Sequence, residues 1–231
     1  MVTMARRFEL QTNRRNMSTP SAPSDNNEAV ARHNTRANLK RLLDQMIEQP
    51  ERRADITHEV DEIFGQDKAV MILDMSGFSR TTYQHGIVSF LLMIHQMQLV
   101  ACPCVTEEDG LLLKAEADNL YCLFDTVADA VRASQKITRH LNTANRLLPE
   151  EHRLYVSIGI GYGRILNIED HDLFGSEVNL ACKLGEDVGK LGDILLTAAA
   201  YGQLNDPNIN CREEVISVSG LELAYFSVQQ K

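Results

Sequence analysis

The sequence lacks any run of 18 or more apolar residues, the length that a membrane-spanning helix requires. Its longest apolar stretch, residues 87–100, is interrupted by Ser89, His95, Gln96 and Gln98. The apolar core of a signal peptide is also missing from the amino terminus. These absences predict a cytoplasmic chain with no membrane span. A surplus of positive charge is absent too, since 32 acidic residues face 23 basic ones for a formal charge of −9. Such an average field repels a long anionic polymer and argues against nucleic acid as a partner. It does not oppose a small nucleotide complexed with divalent cations, which needs carboxylates close by. The cysteines, Cys102, Cys104, Cys122, Cys182 and Cys211, are odd in number and lack the CxxC spacing of a zinc site. Reduced, partly buried thiols are expected, with Cys102-Pro103-Cys104 as the one conceivable redox pair. No internal repeat occurs.

What is present fits one mixed domain with an appendage: 231 residues, 44% of them hydrophobic. Residues 1–26 mix Arg6, Arg7, Arg14 and Arg15 with Ser, Thr, Pro and Asn, and read as a disordered tail. Residues 27–66 read as a helical extension. There Leu39, Leu42, Leu43, Met46 and Ile47 keep helical spacing, Pro50 opens a second helix with Ile56, Val60, Ile63 and Phe64, and Gly65 closes it. From 67 to 231 the pattern alternates. It predicts a strand over 69–73, a helix over 82–99, a hairpin of strands 111–114 and 119–124, and a helix over 127–148. A strand over 154–160, a loop over 167–172, a helix over 176–184 and strands over 194–197, 214–218 and 223–228 follow. This order implies an α+β sandwich with helices against a largely antiparallel sheet.

Two carboxylates stand where chemistry can use them. Asp74 ends the apolar strand over 69–73, and Asp118 lies in the hairpin turn. If the two strands pair, both side chains project from one edge and can share two hard cations, the arrangement used for in-line phosphoryl displacement. Either one alone reads as an ordinary solvated turn residue. After Asp74, the turn Ser76-Gly77-Phe78-Ser79 runs into a helix, where backbone amides can bind phosphate oxygens, although such turns are common in mixed folds.

Four ordered blocks carry a family resemblance. The segment from Ile72 through Asp74, Met75, Ser76, Gly77 and Phe78 to Ser79 resembles the first signature of class III adenylyl and guanylyl cyclases. Lys114-Ala-Glu-Ala-Asp118, followed by a strand ending in Phe124, resembles the second. Ser157-Ile-Gly-Ile-Gly-Tyr-Gly163 resembles the family's glycine-rich strand. Asp172-Leu-Phe-Gly175-Ser-Glu-Val178-Asn179-Leu-Ala181-Cys-Lys183 resembles its Asp-x-x-Gly-x-x-Val-Asn-x-Ala-x-Arg signature, and Gly192-Asp-Ile-Leu resembles the strand lead-in after it. The chain is thus similar to the class III nucleotidyl cyclase catalytic domain over about residues 69–228. That implies a ferredoxin-like cyclase-homology sandwich.

The resemblance implies roles. Asp74 and Asp118, with the backbone carbonyl of Met75, would hold two Mg²⁺ or Mn²⁺ ions as cofactors. Asn179 would orient the ribose, and Lys183 would stabilise charge on the α-phosphate. Lys114 and Asp172 would read the adenine edge, Lys donating to a ring nitrogen and Asp accepting from the exocyclic amine. Ser76, Gly77, Phe78 and Ser79 would line the triphosphate. The substrate would be a nucleoside triphosphate, ATP by preference, converted to its 3′,5′-cyclic monophosphate and pyrophosphate. A homodimer would build composite sites across its interface. Three positions depart from the pattern: Ala117 stands for Gly, Lys183 for Arg, and Ser219 for a phosphate-binding Lys. Alternatives are a UTP or CTP cyclase of bacterial antiphage signalling and a catalytically idle cyclase-like module. A diguanylate cyclase is more distant, because no Gly-Gly-Asp/Glu-Glu-Phe hairpin is present.

Overall fold

Residues 33–76, 86–218 and 221–229 are described by the computed structural model of the chain. The expected disordered tail, Gly77, Phe78 and Ser79 of the phosphate-binding turn, and Ser219 lie outside them. Residues Asn34–Lys231 form one compact unit.

The unit begins with α1 (Arg36–Glu48), a 3₁₀ turn (Pro50–Arg52) and α2 (Arg53–Phe64). Thr35 caps α1 with its Oγ1, which accepts from the Asn38 amide at 3.1 Å. The apolar spacing seen in the sequence becomes a small core of Leu42, Ile56, Val60 and Phe64 against Ile168. Gly65 is not the left-handed cap that the sequence suggested. It has φ −76° and ψ 133° and starts β1 (Gly65–Met75). Its missing side chain serves close packing instead, for a Cβ there would lie 2.5 Å from Asp61 Oδ1 and 2.6 Å from Arg164 Nη2.

β1 is an interior strand of an eight-stranded sheet, with β2 (Leu111–Glu116), β3 (Asn119–Phe124), β4 (Val156–Ile168), β5 (Asp172–Phe174), β6 (Ile194–Thr197), β7 (Cys211–Val218) and β8 (Leu221–Val228). The order is β2-β3-β1-β4-β6-β8-β7, with β5 pairing to β4. All neighbours are antiparallel except β4 and β6, as the sequence pattern led one to expect of a largely antiparallel sheet. Alternation along β1 sends Ala69, Met71, Leu73 and Met75 to one face and Val70 and Ile72 to the other, and both faces are covered. Helices α3 (Ile87–Glu107) and α4 (Val127–Asn145) pack on the first face, while α5 (Ser176–Lys183) covers the second. A π-helical turn (Leu184–Val188) prolongs α5, and a short α6 (Ala198–Gln203) follows β6.

Several expected boundaries move. The helix expected over 82–99 runs on to Glu107 through Pro103, because Ala101, Cys104 and Val105 continue its buried face. Cys102 and Cys104 therefore sit in a helix, both free, and burial raises both thiols, which disfavours the thiolate that redox work requires. By length and composition α3 could cross a bilayer. In this fold its Phe90, Met93, Ile94 and Met97 belong to the main core. The loop expected over 167–172 narrows to a turn of residues 169–171, since β4 extends to Ile168 and β5 starts at Asp172.

Candidate active site

The pairing of β1 with β3 decides the geometry. Asp74 lies opposite Asn119, the residue after Asp118, and across its other edge opposite Ser157 of β4. The Met75 amide donates to the Asp118 carbonyl at 3.3 Å, tying the end of β1 to the hairpin turn. The two carboxylates that the sequence singled out are thus on adjacent strand ends. Alternation puts Asp74 on the face of Val70 and Ile72, beneath α5 and its π-turn. Partial burial is the largest cause lifting its carboxyl to about 6, and the negative charges of Asp118 and Glu186 push the same way.

Glu186 was not flagged by the sequence. It sits on the π-turn, accepts from Asn119 Nδ2 at 3.0 Å, and its own carboxyl is raised by burial and by Asp187 and Asp118. The turn reaches the sheet because position 185 is glycine: a Cβ there would be 3.2 Å from both Ile72 O and Gly159 N. Ser157 Oγ donates to the Gly185 carbonyl at 2.6 Å and fixes it. The acidic pair Glu186-Asp187 just after Lys183 was a signal available in the sequence.

The donor set fits hard divalent cations: two carboxylates on fixed strand ends, the Met75 backbone beside them, and the Asn119 Oδ1, which is buried with no hydrogen-bond partner among the described residues. Among the described residues no three His, Cys, Asp or Glu side chains converge into a complete cage. Mg²⁺ needs none, because it keeps several waters and is held by one or two carboxylates plus substrate phosphates.

The third block explains itself through close approach. A Cβ on Gly159 would collide with the Ala181 carbonyl and lie 2.8 Å from Gly185 N, and one on Gly161 would lie 2.5 Å from the Glu177 carbonyl. These glycines let α5 lie directly on β4. Glu177 then locks the helix, accepting from Thr197 Oγ1 at 2.6 Å and from the Tyr162 amide at 3.3 Å. Val178 and Ala181 face the sheet, and Asn179 is exposed. Lys183, one turn on, donates to Asp187 at 2.7 Å.

Lys114 and Asp172 come together from β2 and β5, with Nζ 3.8 Å from Oδ1. A bulge between Leu112 and Lys114 turns Lys114 onto the face of its partner Tyr121, 4.5 Å above the ring centroid. Its ammonium donates to Glu116 at 2.8 Å, which is the largest cause raising its pKa. The second oxygen of Asp172 is paired with Arg36 of α1, a contact spanning 136 positions that no sequence pattern announces. Ser76 is placed by its amide, which donates to Tyr155 O at 2.9 Å.

No protein-family model matches the chain. Over 116 residues, 50% of the chain, it is 28% identical to a curated Rhizobium meliloti (strain 1021) protein provisionally named adenylate cyclase 3, and it spans only 20% of that protein. The guanylyl cyclase Cya2 structure superposes with a TM-score of 0.62 at 16% identity, covering 71% of this chain and 92% of that one. The adenylyl cyclase CyaB from P. aeruginosa gives 0.60 at 21% identity, covering 72% and 96%. The fold is that of class III adenylyl and guanylyl cyclase catalytic domains.

Proposed function

We propose that a chain with this fold and these paired carboxylates is a nucleotidyl cyclase, which closes a nucleoside triphosphate, ATP by preference, into its 3′,5′-cyclic monophosphate. The 3′-oxygen attacks the α-phosphorus, the bond to the bridging oxygen breaks, pyrophosphate leaves, and the 3′-hydroxyl proton is lost to solvent. The observation that carries this reading is the union of Asp74 and Asp118 on adjacent strand ends. Bound there, two Mg²⁺ or Mn²⁺ ions would supply Lewis acidity for the 3′-hydroxyl and charge neutralisation for the leaving group. The remaining roles belong to side chains. Asn179 orients the ribose, Lys183 moves from Asp187 to the α-phosphate, and Lys114 and Asp172 meet the base edge. The Ser76 to Ser79 turn offers amides to the phosphates.

A dimer is part of the proposal. Asn179 is exposed on the outer side of α5, as a residue serving a partner's carboxylates would be. An apolar stripe on α3, with Val88 76% exposed and Leu91, Leu92 and Leu99 each more than half exposed, supports burial against a second copy. Incubation with ATP, GTP, CTP and UTP separately, with Mn²⁺ or Mg²⁺ and mass identification of products, tests the reading. Cyclic AMP is the expected main product, absent in folded Asp74→Ala and Asp118→Ala variants. Faster cyclisation of UTP or CTP by tenfold would overturn the base assignment, and an active Asp74→Ala variant would overturn the metal assignment.

A further inference from the structure

The base-edge carboxylate already has an occupant within its own chain. Arg36 Nη2 donates to Asp172 Oδ2, and Lys114 stands 3.8 Å from Oδ1, so cations face both acceptor oxygens. We infer that Arg36 is a specificity determinant: by occupying Asp172 it reduces, without reversing, the preference for adenine, whose 6-amino group must displace it. The inference rests on the proposed base-reading role of Asp172.

The contact is built into the fold. Fully buried Leu42 anchors α1 to Phe64 and to Ile168 at the tip of β4. Just before α1, Asn34 grips the turn that leads to Asp172, donating to the Asn167 carbonyl at 3.0 Å and accepting from the Glu169 amide at 3.1 Å. That turn is strained: Glu169 and Asp170 have φ 55° and 52°, and His171 N closes it on Ile168 O at 2.9 Å. Two consecutive left-handed residues suit a tight hairpin but are usually Asn or Gly, so an outside clamp holds what the sequence disfavours. Arg36 is thereby delivered to Asp172 by the backbone.

The chemistry follows from donors and acceptors. Adenine presents an amine that needs an acceptor, and Asp172 is engaged. Guanine presents a 6-carbonyl oxygen in place of that amine, which accepts from a guanidinium N–H. The Arg36 side chain is 67% exposed. An ion pair that open is weak, so its displacement costs a factor of about two to five in binding.

Equilibrium binding of 3′-deoxy-ATP and 3′-deoxy-GTP, which lack the nucleophile and are not turned over, tests this with Mn²⁺ present. The full-length chain is compared with Arg36→Ala, Arg36→Lys, Asp172→Ala and the Arg36→Ala/Asp172→Ala double variant. Arg36→Ala is expected to tighten 3′-deoxy-ATP about two- to fivefold while leaving 3′-deoxy-GTP unimproved. Arg36→Lys, which keeps the charge, stays near wild type, and the gain disappears when Asp172 is also removed. Unchanged or weaker 3′-deoxy-ATP binding in Arg36→Ala, with Asp172→Ala still altering the ratio of the two nucleotides, overturns the role of Arg36 alone. A ratio that Asp172→Ala leaves unchanged overturns the base reading beneath it as well.

Discussion

At the scale of single residues, Asp74 shows how position sets chemistry. Its carboxyl is held near 6 in the folded chain against an ordinary 3.8. Between those values the folded state keeps a proton that the unfolded chain has released, so metal-free stability falls as pH rises from about 4 to 6. Thermal unfolding across this range should show a shallower decline in Asp74→Asn than in wild type; identical slopes would remove Asp74 as the cause. Cation binding competes with the same proton, so Mn²⁺ affinity, followed by electron paramagnetic resonance of the free ion, should weaken below about pH 6. Ala117 makes a second residue-scale case. It holds φ 51° in the hairpin turn, where a β-carbon is strained and glycine is not. Ala117→Gly is therefore expected to raise stability by about 0.5–1 kcal/mol in chemical denaturation.

Among the elements, the seating of α5 on β4 matters most, because it aims Asn179 and Lys183 and brings the π-turn to Asp74. Gly159 permits that seating, since any side chain there meets the Ala181 carbonyl. Gly159→Ala should destabilise the fold by about 3 kcal/mol, the upper range for overpacking in a close-packed interior. Activity should fall further than unfolding explains, because α5 must lift. A Gly159→Ala protein with wild-type stability by denaturant titration would show that the helix has room to move. On the opposite face, α3 and α4 bury apolar residues with the hydroxyls of Ser134 and Thr138 and the amide of Asn145, none of them ionisable, so that layer supports the site without entering it.

For the molecule as a whole, the proposed composite site makes a prediction that no single chain can satisfy. Asp74 and Asp118 of one protomer would face Asn179 and Lys183 of its partner, with two such sites in a two-fold dimer. Mixing inactive Asp74→Ala with inactive Asn179→Ala should restore activity, since one site in each mixed dimer receives intact residues from both chains. Random exchange gives half mixed dimers with half their sites intact, about a quarter of wild-type activity. A mixture that stays inactive although exchange is demonstrated would refute the shared site.

Much of this was legible in the linear chain, for physical reasons. The apolar run from Ala69 to Leu73 suits a short strand buried on both faces, and the spacing of Leu39, Leu42 and Met46 suits one face of a helix. Strand alternation and the hairpin put Asp74 and Asp118 in one neighbourhood as soon as β1 and β3 pair. Gly65 misled because glycine after a helix can serve a left-handed turn or a close contact, and only the positions of Asp61 and Arg164 decide which. Arg36 was invisible as a site residue, since its partner lies 136 positions away, and Glu186, whose partner lies 67 positions away, left only the trace of an acidic pair after Lys183. Local periodicity determined the elements and the order of the chemistry-bearing residues along them. Which charges meet was decided only by the tertiary structure, because Coulomb and hydrogen-bonding partners are set by distance through space rather than along the chain.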